Sequence, residues 1–189
     1  SGLTHIGVWA FASTSLSEVE IPAGVTILPY QAFWGSPLTK IIFHEGLQEV
    51  QYLAFSAKYI DSLAFPSSLR KIALNSEEYY DNFDTIQCRY VEFKNGADPL
   101  ELSDYCFLGF TNLEKVILSD NITRIGKSCF ELAGMQQVVI PPLIDTIHES
   151  CFMACSNLDQ VVLPQQLTTI DKFAFSETTV LSQIAIPAS

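Results

Sequence analysis

A unit of 22 or 23 residues recurs along almost the whole 189-residue chain. Its most regular feature is a Phe that follows Ala or Cys and precedes a short apolar segment such as QVVIP or QVVLP. The Phe column consists of Phe11, Phe33, Phe55, Phe107, Phe130, Phe152 and Phe175. One unit of this length cannot bury its own apolar face, so the units are expected to stack into a continuous core.

The recurrence divides the chain into eight units. Their bounds are 3–24, 25–46, 47–68, 69–96, 99–121, 122–143, 144–166 and 167–189. Each unit has one segment with apolar residues at alternate positions, which predicts one short strand per unit. We therefore predict a single domain over residues 1–189, a solenoid of about eight coils, with turns or short helices on its convex side.

The fourth unit, 69–96, departs from the pattern. Its convex segment, 73–87, is about six residues longer than its equivalents and rich in Tyr, Asp and Glu, and its column Phe is missing or displaced to Phe83. We interpret the segment as a solvated bulge, because loop length costs little free energy. The alternative is a recognition or cation-binding loop, although calcium loops need regularly spaced ligands and a Gly turn.

Three of the five cysteines occupy the position before the column Phe, where other units have Ala. These residues, Cys106, Cys129 and Cys151, are therefore predicted to be buried free thiols. A disulfide is conceivable, since neighbouring strands lie ~4.8 Å apart. Cys155 falls at a position expected to be half-buried and His148 in a turn. A zinc site there would need two further ligands, so we predict no metal and no cofactor.

Charge and motif content exclude several classes of function. The net charge of −11 would repel nucleic acid and anionic membrane surfaces, and no apolar run is long enough to insert into a membrane. The chain contains no nucleophile elbow, phosphate loop, dinucleotide fingerprint or zinc-protease motif, which predicts a protein that is not an enzyme. Its first residues lack an initiator Met and a signal segment, so we expect a removed leader or a longer parent protein.

The consensus V-x-x-I-x-x-x-A/C-F-x-x-x-x-x-L-x-x-V-x-I-P resembles the BspA-type leucine-rich repeat family, found on surface proteins of anaerobic bacteria and some protozoan parasites. The resemblance covers residues 3–189. Where ordinary leucine-rich repeats have Asn after the strand, this chain has Pro22, Pro66, Pro141, Pro164 and Pro187. The resemblance implies an α/β leucine-rich-repeat solenoid wound as a right-handed superhelix. It also implies an extracellular or cell-surface binding or adhesion role, and it assigns no catalytic residue.

Strand alternation predicts a candidate binding face on the concave side of the solenoid. Val161 and Leu163 should point inward, and Gln160, Val162 and Pro164 outward. The same register gives two outward columns across the repeats. The first column is Glu20, Ile42, Ala64, Glu92, Ile117, Val139, Val162 and Ala185, and the second is Glu18, Lys40, Ser62, Tyr90, Lys115, Gln137, Gln160 and Gln183.

The last four members of each column form a charge-poor aliphatic row edged by glutamines. Exposed aliphatic rows are unfavourable unless a partner covers them, and such a surface suits a protein better than a charged ligand. We therefore predict a module that binds a protein or glycan. The alternative function is a structural spacer or oligomerisation segment. An alternative explanation of the aliphatic row is that its β-branched residues serve only strand formation.

Overall fold

The computed structural model describes residues 2–75 and 86–187. The regular elements of these residues are fourteen β-strands in two rows. The first strand row is β1 (Glu18–Ile21), β3 (Lys40–Phe43), β5 (Ser62–Phe65), β7 (Tyr90–Phe93), β9 (Lys115–Ile117), β11 (Gln137–Val139) and β13 (Gln160–Val162). The second strand row is β2 (Ile27–Leu28), β4 (Glu49–Val50), β6 (Lys71–Ile72), β8 (Leu100–Leu102), β10 (Ile122–Ile125), β12 (Thr146–Ile147) and β14 (Thr169–Ile170).

All strand pairs are parallel, and each joins a strand to its equivalent in the next repeat. The first row contains the ladders β1-β3, β5-β7-β9 and β11-β13, and the second contains β2-β4-β6-β8-β10 and β12-β14. Each repeat therefore makes one turn of a solenoid, and the seven strands of the first row are separated by six turns. Val, Ile and Phe supply half of the strand residues, because branched and aromatic side chains favour strand conformation.

Three details of the predicted architecture are wrong. The described residues contain no helix, so the α/β class and the short helices on the convex side are not present. Each turn contributes two strands instead of one. Seven first-row strands, separated by about six turns, are formed instead of eight coils, because residues 181–187, which should hold the eighth strand, do not join a ladder.

The segments around the column Phe residues are turns because a left-handed residue precedes each column Phe, and a second one follows all of them except Phe55. The residue two positions before that Phe has a φ between 50° and 61° in all seven cases: Trp9, Gln31, Leu53, Tyr105, Ser128, Ser150 and Phe173. This conformation costs an L-residue roughly 1–2 kcal/mol and interrupts any right-handed helix. It also allows a hydrogen bond between turns. The Phe107 amide, for example, donates to the Cys129 carbonyl at 2.8 Å.

The core contains two stacks of aromatic rings. In the Phe column, Phe107, Phe130, Phe152 and Phe175 stack with centroid distances of 5.3, 5.6 and 5.4 Å. Five members of the column are buried, whereas Phe11 is exposed and Phe175 half-buried in the outermost turns. The second stack, which was not predicted, runs through the strand ends of the first row: Phe43, Phe65 and Phe93, at 5.2 and 5.0 Å.

Candidate binding face

The first strand row sends alternate residues inward and outward in the predicted register. Its central inward residues, such as Leu63, Val91 and Val138, are buried. On the outward side Val139 is paired with Val162, and Gln137 with Gln160. Tyr90 is paired with Ser62 on one side and with Lys115 on the other. The strand alternation therefore aligns outward residues from separate turns into continuous columns.

We call Ile117, Val139 and Val162 the apolar strip. Their exposed fractions are 43%, 63% and 56%. Strands β9 and β11 lie side by side, so the three residues are neighbours although no ladder joins these two strands. Lys115, Gln137 and Gln160 are also exposed and edge the strip. The structure thus brings six of the predicted site residues together on one face.

The structure does not place Ala185 and Gln183 in the strand columns of this face. Both are exposed, but they lie in residues 181–187, outside the strand ladders. Pro164, which was expected to point outward, is buried, because β13 ends at Val162 and the strand alternation does not continue beyond it. The inward residue Val161 is half-buried.

Charge on this face is concentrated away from β11 and β13. The outward residues of β1 and β3 include Glu18, Glu20 and Lys40, and Glu20 forms an ion pair with His44. The outward residues of β11 and β13, in contrast, are all Gln or Val. One end of the face is therefore polar and charged, and the other is uncharged and aliphatic.

A second group of residues on the face was not predicted as a site. Asp61, Arg89 and Glu114 each precede an outward residue of β5, β7 or β9, and Arg89 forms ion pairs with both acids, at 2.7 and 3.5 Å. The hydroxyl of Tyr90 donates a hydrogen bond to Glu114 at 3.0 Å. Extending the predicted register by one residue would have aligned the three charges, but only the fold shows that their side chains meet.

All five cysteines are buried free thiols, as predicted for the three in the column. Cys155 is wrongly predicted as half-buried. It is fully buried, and its Sγ donates to the Phe130 carbonyl at 3.0 Å. Its repeat equivalents Phe110, Ala133 and Thr178 are buried too, because the turn after the column Phe folds back onto the core. Burial raises the pKa of Cys155 to about 12 and that of Cys151 further.

His148 directly follows β12 and precedes the turn, and its carbonyl accepts a hydrogen bond from the Cys151 amide at 3.1 Å. Its Nδ1 lies 3.6 Å from Oδ2 of Asp171. Within 2–75 and 86–187, no group of three or more His, Cys, Asp or Glu residues is arranged to hold a metal ion. Residues 76–85, with Phe83 and most of the acidic segment, lie outside the described part of the chain. The interpretation of that segment as a bulge therefore stays a prediction.

A stacked series of parallel turns defines a repeat solenoid, and comparison with known proteins specifies its family. The family model described as "BspA type Leucine rich repeat region" matches residues 1–83 and 79–189, with six copies. The chain belongs to the BspA-type leucine-rich repeat family, as the sequence resemblance indicated. No curated protein sequence matches the chain.

Solved structures with the same fold are only distantly similar in sequence. A leucine-rich repeat protein from Bacteroides ovatus is 20% identical, with a TM-score of 0.62, over 88% of this chain and 48% of that one. The pneumococcal vaccine antigen PcpA is 19% identical, with a TM-score of 0.59, over 90% and 51%. A leucine-rich repeat protein from T. pallidum is 23% identical, with a TM-score of 0.55, over 86% and 64%.

These similarities show the fold alone. The chain spans about half the length of the first two structures and under two thirds of the third. In the part of the chain that the structure describes, no helix is long and apolar enough to cross a membrane.

Proposed function

We propose that the chain is a non-enzymatic binding module of a secreted or cell-surface protein and that it recognises a protein partner. Residues 1–189 would act as one domain, a right-handed solenoid whose concave side carries the first strand row. Membership of a family found on surface proteins supports this location, and one structural relative is a vaccine antigen. The interface would comprise the apolar strip, its edge residues Lys115, Gln137 and Gln160, and, from the last repeat, Gln183 and Ala185.

The apolar strip is the observation that carries the proposal. Val139 and Val162 are more than half exposed and contribute little to the core, which their inward neighbours already fill. Contiguous exposed aliphatic side chains mark interaction sites more often than they mark inert surface. The flanking amides can form hydrogen bonds at the rim without the desolvation cost of charges, the arrangement typical of a protein interface with an apolar centre.

The alternative function is a structural spacer or oligomerisation segment, which differs from the proposed module because it recognises no separate ligand. A spacer needs a rigid stack of turns and makes no use of the strip. Screening the purified domain on arrays of human and bacterial surface proteins and of glycans tests both functions. A domain that binds no protein on such arrays would favour the spacer.

The interface itself is tested with the double variant Val139→Lys and Val162→Lys. Because both side chains point away from the core, the variant should unfold at nearly the wild-type temperature. Affinity for the partner found on the array should fall at least about a hundredfold, because binding would bury two unpaired charges in an apolar interface. A hundredfold loss requires only about 1.4 kcal/mol from each Lys. The matched control is Ile27→Lys with Leu143→Lys, which adds the same charge at exposed aliphatic residues outside the strip. Wild-type affinity in the strip variant would contradict the proposed interface.

A further inference from the structure

The first strand row has a recess beside Tyr90. In the register of the face, the small residues Ser62 and Ala64 of β5 lie opposite Tyr90 and Glu92 of β7. Because these small side chains stop short, they leave an open space of about 280 Å³ that Lys115 and Ile117 line on the far side. Its size approaches the ≈ 300 Å³ of small-molecule sites. Tyr90 is 40% exposed, so part of its ring is accessible from this space.

A second, polar recess is lined by the residues immediately before those strands. Its lining residues are Asp61, Gln87, Arg89, Asn112 and Glu114, and its volume is about 310 Å³. Tyr90, which lines the first recess, contacts both Arg89 and Glu114 of the second, so the two recesses lie on either side of this contact. Together they present an aromatic ring on one side and hydrogen-bonding groups on the other.

The polar groups around the ring are already held in place. Arg89 Nε lies 2.7 Å from Asp61 Oδ1, and the Tyr90 hydroxyl donates to Glu114 Oε2 at 3.0 Å. The Arg89 guanidinium also lies over the Tyr90 ring, 5.4 Å from its centroid. Asn112 Nδ2 donates to the Ile86 carbonyl at 2.7 Å, which orients its amide. A ligand would therefore meet side chains that lose little rotamer freedom on binding.

The charges select the class of ligand. Asp61, Glu92 and Glu114 carry three negative charges and Arg89 and Lys115 two positive ones, so an anionic ligand is not favoured. A second cationic side chain is not favoured either, since Arg89 already lies over one face of the Tyr90 ring and pairs with both acids, which leaves a ligand only the exposed part of the ring. What remains is an uncharged molecule with a C–H face for the ring and hydroxyl groups for the carboxylates, the guanidinium and the amides.

From this combination we infer that the Tyr90 recesses form a carbohydrate site, which takes an uncharged pyranose of a glycan with the sugar face against Tyr90 and the hydroxyls toward Asp61, Asn112 and Glu114. The inference goes beyond the proposed protein interface. It concerns a different ligand on β5, β7 and β9, and it requires neither Val139 nor Val162.

An array of uncharged oligosaccharides built from glucose, galactose, mannose and N-acetylglucosamine tests the site, with sialylated and uronate-containing oligosaccharides on the same array. The wild-type domain should bind at least one uncharged oligosaccharide and bind the charged ones more weakly. Tyr90→Ala should reduce its affinity at least tenfold in a calorimetric titration, because the stacking surface is lost. Tyr90→Phe, which keeps the ring, should remain within about threefold of wild type.

Two further variants separate loss of the site from loss of the fold. Ser62→Tyr fills the recess from the exposed side of β5 and should also abolish binding at an unchanged unfolding temperature. Tyr30→Ala removes an exposed tyrosine that lines neither recess and should bind as wild type does. The Val139→Lys and Val162→Lys variant should retain glycan binding, and Tyr90→Ala should retain the protein partner.

Three results would overturn the inference: no binding to any uncharged oligosaccharide at millimolar concentration, preferential binding of the charged oligosaccharides, or wild-type affinity in folded Tyr90→Ala and Ser62→Tyr variants. Because the strip variants are measured beside these, failure of the glycan site and failure of the protein interface give different patterns of lost binding.

Discussion

At the scale of single residues, the cysteines illustrate how the position before the column Phe determines the reactivity of a thiol. Cys106, Cys129 and Cys151 lie in the place of Ala and have no exposed surface. Desolvation raises the pKa of Cys129 and Cys151, because a thiolate charge would be moved from water into an apolar interior. The pKa of Cys88 is likewise raised to about 12, chiefly by burial. These thiols are therefore poor nucleophiles and metal ligands in the folded protein.

The same pKa shifts predict that alkaline pH destabilises the fold. In the unfolded chain a thiol loses its proton near pH 8.5, whereas Cys88 and Cys155 keep theirs until about pH 12 in the folded state. The folded state binds more protons in this interval, so the free energy of unfolding should fall as pH rises from about 8.5 toward 12. Urea titrations at pH 7.5, 9 and 10 measure this fall.

The matched variant is Cys155→Ala, which removes one of these thiols at a position where another repeat has Ala133. It should show a shallower decrease of stability between pH 7.5 and 10 than the wild type. Equal slopes, together with rapid labelling of native thiols by a thiol reagent at pH 9, would show that the cysteines are accessible and that the assigned burial is wrong.

At the scale of the element, the turn around each column Phe determines how successive repeats fit together. Two residues with positive φ, such as Ser128 and Leu132 around Phe130, direct the intervening amide toward the next turn. The amide of Phe130 donates to the Cys151 carbonyl at 2.9 Å, and its ring lies between those of Phe107 and Phe152. The backbone strain of the turn is thus offset by hydrogen bonds and ring packing between repeats.

The stacked turns predict that the stability lost on removing a column Phe depends on its place in the stack. Phe130→Ala should lower the free energy of unfolding by ~3–5 kcal/mol, because turns held on both sides cannot close the cavity. Phe175→Ala should cost clearly less, since Phe175 is half-buried and stacks on Phe152 from the outermost turn. Denaturant titrations of both variants give the comparison. Equal losses would mean that the stack does not carry the stability assigned to it.

At the scale of the whole molecule, every ladder joins neighbouring repeats, so contacts are made mainly between one turn and the next. Stability in such a solenoid is approximately a sum of terms from single repeats and from the interfaces between them. An elongated stack of this kind exposes much surface for its size, and the first strand row supplies a long face on which separate sites can lie side by side. The proposed protein and glycan sites use different strands of that face, apart from the shared β9.

This architecture predicts that a whole repeat can be removed. Deleting residues 122–143 takes out β10 and β11 and brings equivalent positions of the adjoining repeats together. The shortened chain should fold with native-like far-ultraviolet circular dichroism and a lower unfolding temperature. Deleting 122–132, half a repeat, should prevent folding. The shift by an odd number of residues would turn the inward residues of the following strand outward and its outward residues inward. Two deletions of equal stability would contradict the repeat as the unit of the fold.

The sequence by itself determined the repeat, the Phe and Cys columns and the outward register of the first strand row. These features depend on two periods, 22 residues and two residues, which are both written along the chain. The second strand row was missed because strands such as Ile27–Leu28 are too short to show a period. Only the tertiary structure decided between turns and short helices around the column Phe residues, since the left-handed residues there are mostly not glycine. It alone buried Cys155 and joined Arg89 to Asp61 and Glu114, because these contacts arise when separate turns stack against one another.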